Sequence, residues 1–160
     1  MEHKTWTTID KTSWPDGPWQ SEPDKEQWED DATGLPCLLK RHPHGGHLCG
    51  YVGVPEGHPW YARTDEEMGY PDVHGGITYA DVCDDEGDEA TSICHVTETG
   101  EKVWWLGFDM AHAFDLQPAM IRYYEEHDLR PSHIDGETYR DVPYVKAECA
   151  KLAKQAQDAS

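Results

Sequence analysis

The chain is short of positive charge, of phenylalanine and of long apolar runs, and each shortage removes a class of protein. Thirteen Lys and Arg stand against thirty-two Asp and Glu in 160 residues, a formal charge of −19. A surface of that sign repels a phosphate backbone, so nonspecific nucleic-acid binding is not expected. Two narrower partners stay open: a small anion held in a local pocket, or a basic host protein that the acidic surface inhibits. No stretch approaches the roughly 20 apolar residues of a membrane span, and the opening MEHKTWTTID lacks a signal-peptide core. No membrane association and a cytoplasmic location are therefore expected. The five cysteines, Cys37, Cys49, Cys83, Cys94 and Cys149, include no CxxC pair and are odd in number. That arrangement supports neither a zinc ribbon nor a secreted disulfide framework, and reduced thiols, mostly buried in strands, are expected. No P-loop, dinucleotide fingerprint or G-x-S-x-G elbow occurs.

What is present is aromatic. Two Phe are joined by seven Trp and eight Tyr, and each such ring buries on the order of 150–250 Å². A disordered chain would be poor in them, so this one is expected to fold, at a length suited to one domain. Residues 1–34 hold Trp6, Trp14, Trp19 and Trp28 among Pro, Asp, Glu and Gly, with no helical or strand period. They are expected to form an extended arm whose indoles plug into a domain spanning 35–160. Within that domain 36–41 (PCLLKR) and 48–54 (LCGYVGV) read as strands around a hairpin loop, HPHGGH. Further strands are expected at 77–82, 92–97 and 102–108, with a turn at 99–101. The acidic stretch 81–90 fails the calcium-loop spacing, since Cys83 takes the third position and Glu86 the sixth. It reads as a surface loop. A short helix is expected over 118–127 and a longer one from an Asp141 N-cap to about 157, where Val142, Val145, Cys149, Leu152, Ala153 and Ala156 make an apolar stripe. Strands first and helices last predict an α+β fold, one mostly antiparallel sheet of about five strands packed with these two helices.

Three blocks concentrate glycine, histidine and aromatics: Gly46 to Trp60 (GHLCGYVGVPEGHPW), Val73 to Tyr79 (VHGGITY) and Trp104 to Asp115 (WWLGFDMAHAFD). In these blocks, and in Gly17 to Trp28 and Thr33 to Cys37, the chain resembles a family of small uncharacterised bacterial and phage proteins. The resemblance spans most of residues 15–125. It implies a phage or mobile-element setting, in which an anti-defence protein would neutralise a host nucleotide signal by cleavage or sequestration.

The residues themselves permit definite chemistry. Asp109, His112 and Asp115 are spaced by three, which on a helical turn places them on one face, and His74 could join from a neighbouring loop. Two imidazoles and one or two carboxylates can hold Zn or Mn with a position open for water, so His74, Asp109, His112 and Asp115 are candidate metal ligands. Without metal, His74 and His112 could serve as general base and acid in phosphodiester hydrolysis, with Asp109 orienting one ring. Gly75 and Gly76 let backbone N–H groups approach an anion. His47, Tyr51, His58 and Trp105 are candidate walls for a nucleobase-like ligand. Cys49 is a weaker candidate nucleophile, lying in an apolar strand away from any helix N-terminus. The expected function is a site for a nucleotide-like or phosphate-bearing small molecule, with phosphodiesterase-like hydrolysis as the reaction if the site is catalytic. The alternative is a noncatalytic binding module, either a sponge, expected as a homo-oligomer with its pocket between subunits, or an acidic inhibitor.

Overall fold

The computed structural model describes residues 3–83, 88–94, 102–127 and 136–160. Six strands form one antiparallel sheet: β1 (Lys4–Trp6), β2 (Lys25–Glu29), β3 (Pro36–Arg41), β4 (Leu48–Pro55), β5 (Tyr79–Val82) and β6 (Val103–Asp109), in the order β1-β2-β3-β4-β6-β5. Two helices follow, α1 (Ile121–Glu126), which extends a 3₁₀ turn at Pro118–Met120, and α2 (Val142–Ala159). The α+β class is as expected. Among the described residues no helix is long and apolar enough to cross a membrane.

The central strands alternate as a two-sided sheet must. Cys37 and Leu39 of β3, Leu48, Val52 and Val54 of β4, and Leu106 and Phe108 of β6 face α2, whose Val145, Cys149, Leu152, Ala153 and Ala156 are buried against them. The Asp141 side chain accepts from the Tyr144 N–H and starts α2 as its N-cap. Gly50 lies opposite Phe108 in the β4–β6 register, and a Cβ there would collide with the Phe108 ring. The opposite face carries a smaller cluster of Leu38, Tyr51 and Trp105, closed by Ile93.

Three expectations are corrected. The N-terminal segment contributes β1 and β2 to the sheet, and its pattern is hidden because Lys25, Glu26 and Gln27 of β2 are all buried. Lys25 Nζ donates to the carbonyls of Glu89 and Cys94, and Glu26 takes Lys146 at 2.6 Å. Polar side chains satisfied by distant partners do not announce a strand. Two of the segment's indoles, Trp14 and Trp19, are buried as expected of plugs. Residues Ser92 to Cys94 are not a strand but follow a turn in which Asp88 O accepts from Thr91 and Ser92 N–H. The remainder of that expected strand and the 99–101 turn lie outside the described residues. Finally, Cys83 and Cys94 form a disulfide with Cα atoms 4.9 Å apart, where reduced thiols were expected, while Cys37, Cys49 and Cys149 are free.

Candidate functional site

Asp115 is the centre of the cluster that the sequence singled out. Its side chain is wholly buried, yet it leaves the end of β6 on a turn and not on a helix. Phe114 adopts φ 73°, a left-handed conformation that costs a bulky residue on the order of 1–3 kcal/mol. That twist sends the Phe114 ring outward, 69% exposed, and the next side chain inward. The turn is held by Asp115 N–H to His112 O at 3.0 Å and Thr138 N–H to Phe114 O at 2.8 Å.

Three groups converge on the Asp115 carboxylate. His74 Nε2 stands 2.7 Å from Oδ2, the His112 N–H donates to the same oxygen at 3.1 Å, and Arg140 Nε donates to Oδ1 at 3.1 Å. Because the carboxylate accepts throughout, His74 carries a proton on Nε2, and its Nδ1 is paired with the Tyr144 hydroxyl, 2.8 Å away. The Arg140 guanidinium lies over the Tyr144 ring at 4.8 Å. The His112 imidazole rests against Gly75, where any Cβ would occupy the ring's place. Its centroid is 6.0 Å from that of His74. Asp109 is a separate anchor: Oδ1 accepts from the Ala111 N–H and lies 3.3 Å from His112 Nε2, while Oδ2 accepts from the Thr78 hydroxyl. His112 Nε2 is itself buried without a hydrogen-bond partner.

The geometry brings together His74, Asp109, His112, Asp115 and Gly75, but not in the expected roles. His74 has no free ring nitrogen and so no lone pair or proton for a substrate. Among the described residues no group of three or more His, Cys, Asp or Glu is arranged to hold a metal ion. In the expected set, His74 is engaged by Asp115 and Tyr144, Asp109 by Thr78 and Ala111, and Asp115 by Arg140, while His112 Nε2 makes no hydrogen bond. Gly75 and Gly76, φ 69° and 79°, form a tight turn in which the Gly76 N–H goes to Val73 O.

The expected ligand walls are mostly framework. Trp105 is fully buried and Tyr51 nearly so, both in the second core cluster. His58 accepts from the Trp60 N–H at Nδ1 and bonds the Ala156 carbonyl through Nε2, tying its loop to the end of α2. His47 is buried and stacks face to face on His42, centroids 4.8 Å apart. The Cys49 thiol is pushed up to about 12 by burial, with Asp109 adding to the effect, which removes it as a thiolate nucleophile at neutral pH. Of the acidic 81–90 segment, Asp81–Cys83 and Asp88–Ala90 are described.

Arg140, Tyr144 and Thr78 were missed by the sequence reading. Arg140 and Tyr144 flank the N-cap of α2, 25 and 70 residues from the groups they contact, and no local spacing signals that. No family model, curated protein or solved structure matches the chain.

Proposed function

We propose that the Asp115 cluster holds the phosphate of a small nucleotide-like molecule without turning it over, with the Arg140 guanidinium and the His112 ring at its rim. The observation behind this reading is that one buried carboxylate takes the Arg140 side chain and the His112 backbone N–H, and both side chains are partly open, His112 at 36% and Arg140 at 26%. Arg140 uses Nε on Asp115 and keeps its terminal N–H donors, the fork suited to phosphate oxygens. On a chain of charge −19, a local basic rim is what lets an anion approach. Binding is favoured over hydrolysis because His74, the expected general base, is saturated on both nitrogens. In the setting that the family resemblance implies, such a site would sequester a nucleotide signal.

A catalytic reading has one specific observation in its favour, the unpartnered Nε2 of His112 beside Asp109. A single imidazole oriented by a carboxylate can act as general acid or base. Calorimetric titration with cyclic nucleotides and with inorganic phosphate, run beside chromatography of the incubated ligand, separates the two. The binding reading expects stoichiometric uptake with no product, weakened about tenfold or more by Arg140→Gln or His112→Ala, as losing one charge-assisted contact implies. Product that disappears in His112→Asn would replace it with the catalytic reading. No uptake of either probe would overturn both.

A further inference from the structure

The tip of the β3–β4 hairpin, residues 42–47, is built for uncharged histidines. His42 Nδ1 accepts from two backbone donors, the N–H of His44 at 3.2 Å and of Gly45 at 3.3 Å. An imidazole that accepts at Nδ1 carries its proton on Nε2 and is neutral. The His47 ring lies nearly parallel to it, 13° between planes, so a second charge would stack cation on cation. His47 Nδ1 is buried without a partner and faces the Gly45 Cα, with the Gln117 side chain close by. As the tip is docked, a proton there would make no hydrogen bond, although the Gln117 Oε1 acceptor lies nearby.

The same tip is a docking point for the segment that follows Asp115. Gly45 O accepts from the Ala119 N–H at 3.1 Å, Gly46 O accepts from Arg41 Nη1 at 2.8 Å, and Gly46 packs against the Trp14 indole and the Ala119 backbone. We propose that the hairpin tip is an acid-released latch: protonating the stacked His42–His47 pair undocks it from the Pro118–Met120 turn and loosens the adjoining Asp115 site.

The charged groups around the pair set the balance. Lys40, Arg41 and His44 stand on the hairpin itself and oppose added charge, whereas Asp109 from β6 and Asp115 favour it. The 3₁₀ turn and the arm present neutral groups, Gln117, Ala119 and Trp14, on this side. Burial is the largest influence on both rings and holds them below the ordinary histidine range, His47 down to about 4. The latch therefore stays closed at neutral pH and releases as the medium becomes acid, whatever ligand the Asp115 site takes.

Amide hydrogen exchange of the full chain at about pH 7.5 and about pH 4.5, corrected for intrinsic rates, tests this. Gly45, Gly46 and Ala119 should lose protection by about tenfold or more on acidification while the buried face of α2 keeps its own. In the double variant His42→Asn, His47→Phe, an amide oxygen replaces the Nδ1 acceptor and a neutral ring preserves the stack, and the three amides should stay protected. Equal protection at both pH values, or loss undiminished in the double variant, would overturn the latch. Should the variant fail to fold, imidazole ¹⁵N shifts of the wild type decide. The latch requires a neutral His42 with Nδ1 bare at pH 7.5; a proton on that nitrogen would sink it.

Discussion

Two buried carboxylates, Asp24 and Asp115, each gather several donors, and the difference between them separates a strap from the proposed site. Asp24 accepts from the N–H groups of Thr8 and Ile9, from Lys11 at 2.6 Å and from Arg41 at 2.9 Å. Every charged member of that group is buried: Lys11 at 5% and Arg41 at 0% exposure. Burial alone would raise the Asp24 carboxyl, but Lys11 and the two backbone donors outweigh it and leave it below its ordinary value. Arg41 goes on to Gly46 O, Pro23 O and the Tyr139 hydroxyl. Nothing in that network is left to meet a ligand, and it pins the N-terminal segment to the sheet. Asp115 is buried as deeply, yet His112 and Arg140 reach solvent. Where the partners of a buried charge are also buried, it holds the fold; where they stand at the rim, it aims them outward.

Truncating the two carboxylates is the sharpest way to break this comparison. Asp24→Ala strands a lysine and an arginine without water and should cost about 3–5 kcal/mol, seen as a large drop in thermal midpoint or failure to fold. Asp115→Ala leaves partners that can rehydrate, so the loss should be about 1–3 kcal/mol while phosphate-ligand uptake disappears. Equal stability losses would mean that the exposure of the partners does not matter.

Acid should reveal a second difference. A histidine whose folded value is depressed binds protons better when unfolded, so its contribution erodes as the pH falls from the ordinary 6.5 toward about 4 for His47. That erosion amounts to up to about 3 kcal/mol. A depressed aspartate behaves otherwise: the contribution of Asp24 persists above its ordinary 3.8 and is lost only as pH drops through its lower folded value. Urea-unfolding free energies across pH should show the first decline before the second, and His47→Phe should shrink the first, leaving the smaller share of His42, without touching the second. A single decline unaffected by that substitution would contradict the assignment.

The smallest effect sets a baseline for carboxylates at the surface. Asp141→Ala removes only the N-cap of α2, a single acceptor for the Tyr144 N–H, and should cost about 1 kcal/mol in the same denaturation assay. A loss matching that of Asp24→Ala would show that capping, not burial, ranks these groups.

How much could be read in advance varied with where each residue's partner sits. β3, β4, β6 and α2 were legible because their apolar residues recur at the period of the element and meet one another across neighbouring strands. β2 was not, since Lys25, Glu26 and Gln27 look like surface, and the partners that admit Lys25 and Glu26 to the interior arrive from far along the chain. The 109–115 block was legible as a concentration of chemistry but not as geometry: helical spacing predicted one face, whereas the left-handed Phe114 turns Asp115 into the interior. His58 and Trp105 illustrate the converse, since a histidine or tryptophan reads alike whether it waits for a ligand or ties down a loop.

The amino-acid sequence by itself determined the acidic surface, the sheet-forming core strands, the long amphipathic helix with its Asp141 cap, and the clustering of His74, Asp109, His112 and Asp115 as polar residues among glycines. Those follow from composition and short-range period, which need no knowledge of distant contacts. Tertiary structure alone decided that His74 is saturated, that Arg140 joins Asp115, that Cys83 meets Cys94, and that His42 and His47 stack. Each depends on the distance and direction between particular side chains, and a hydrogen bond or an ion pair exists only over a few ångströms.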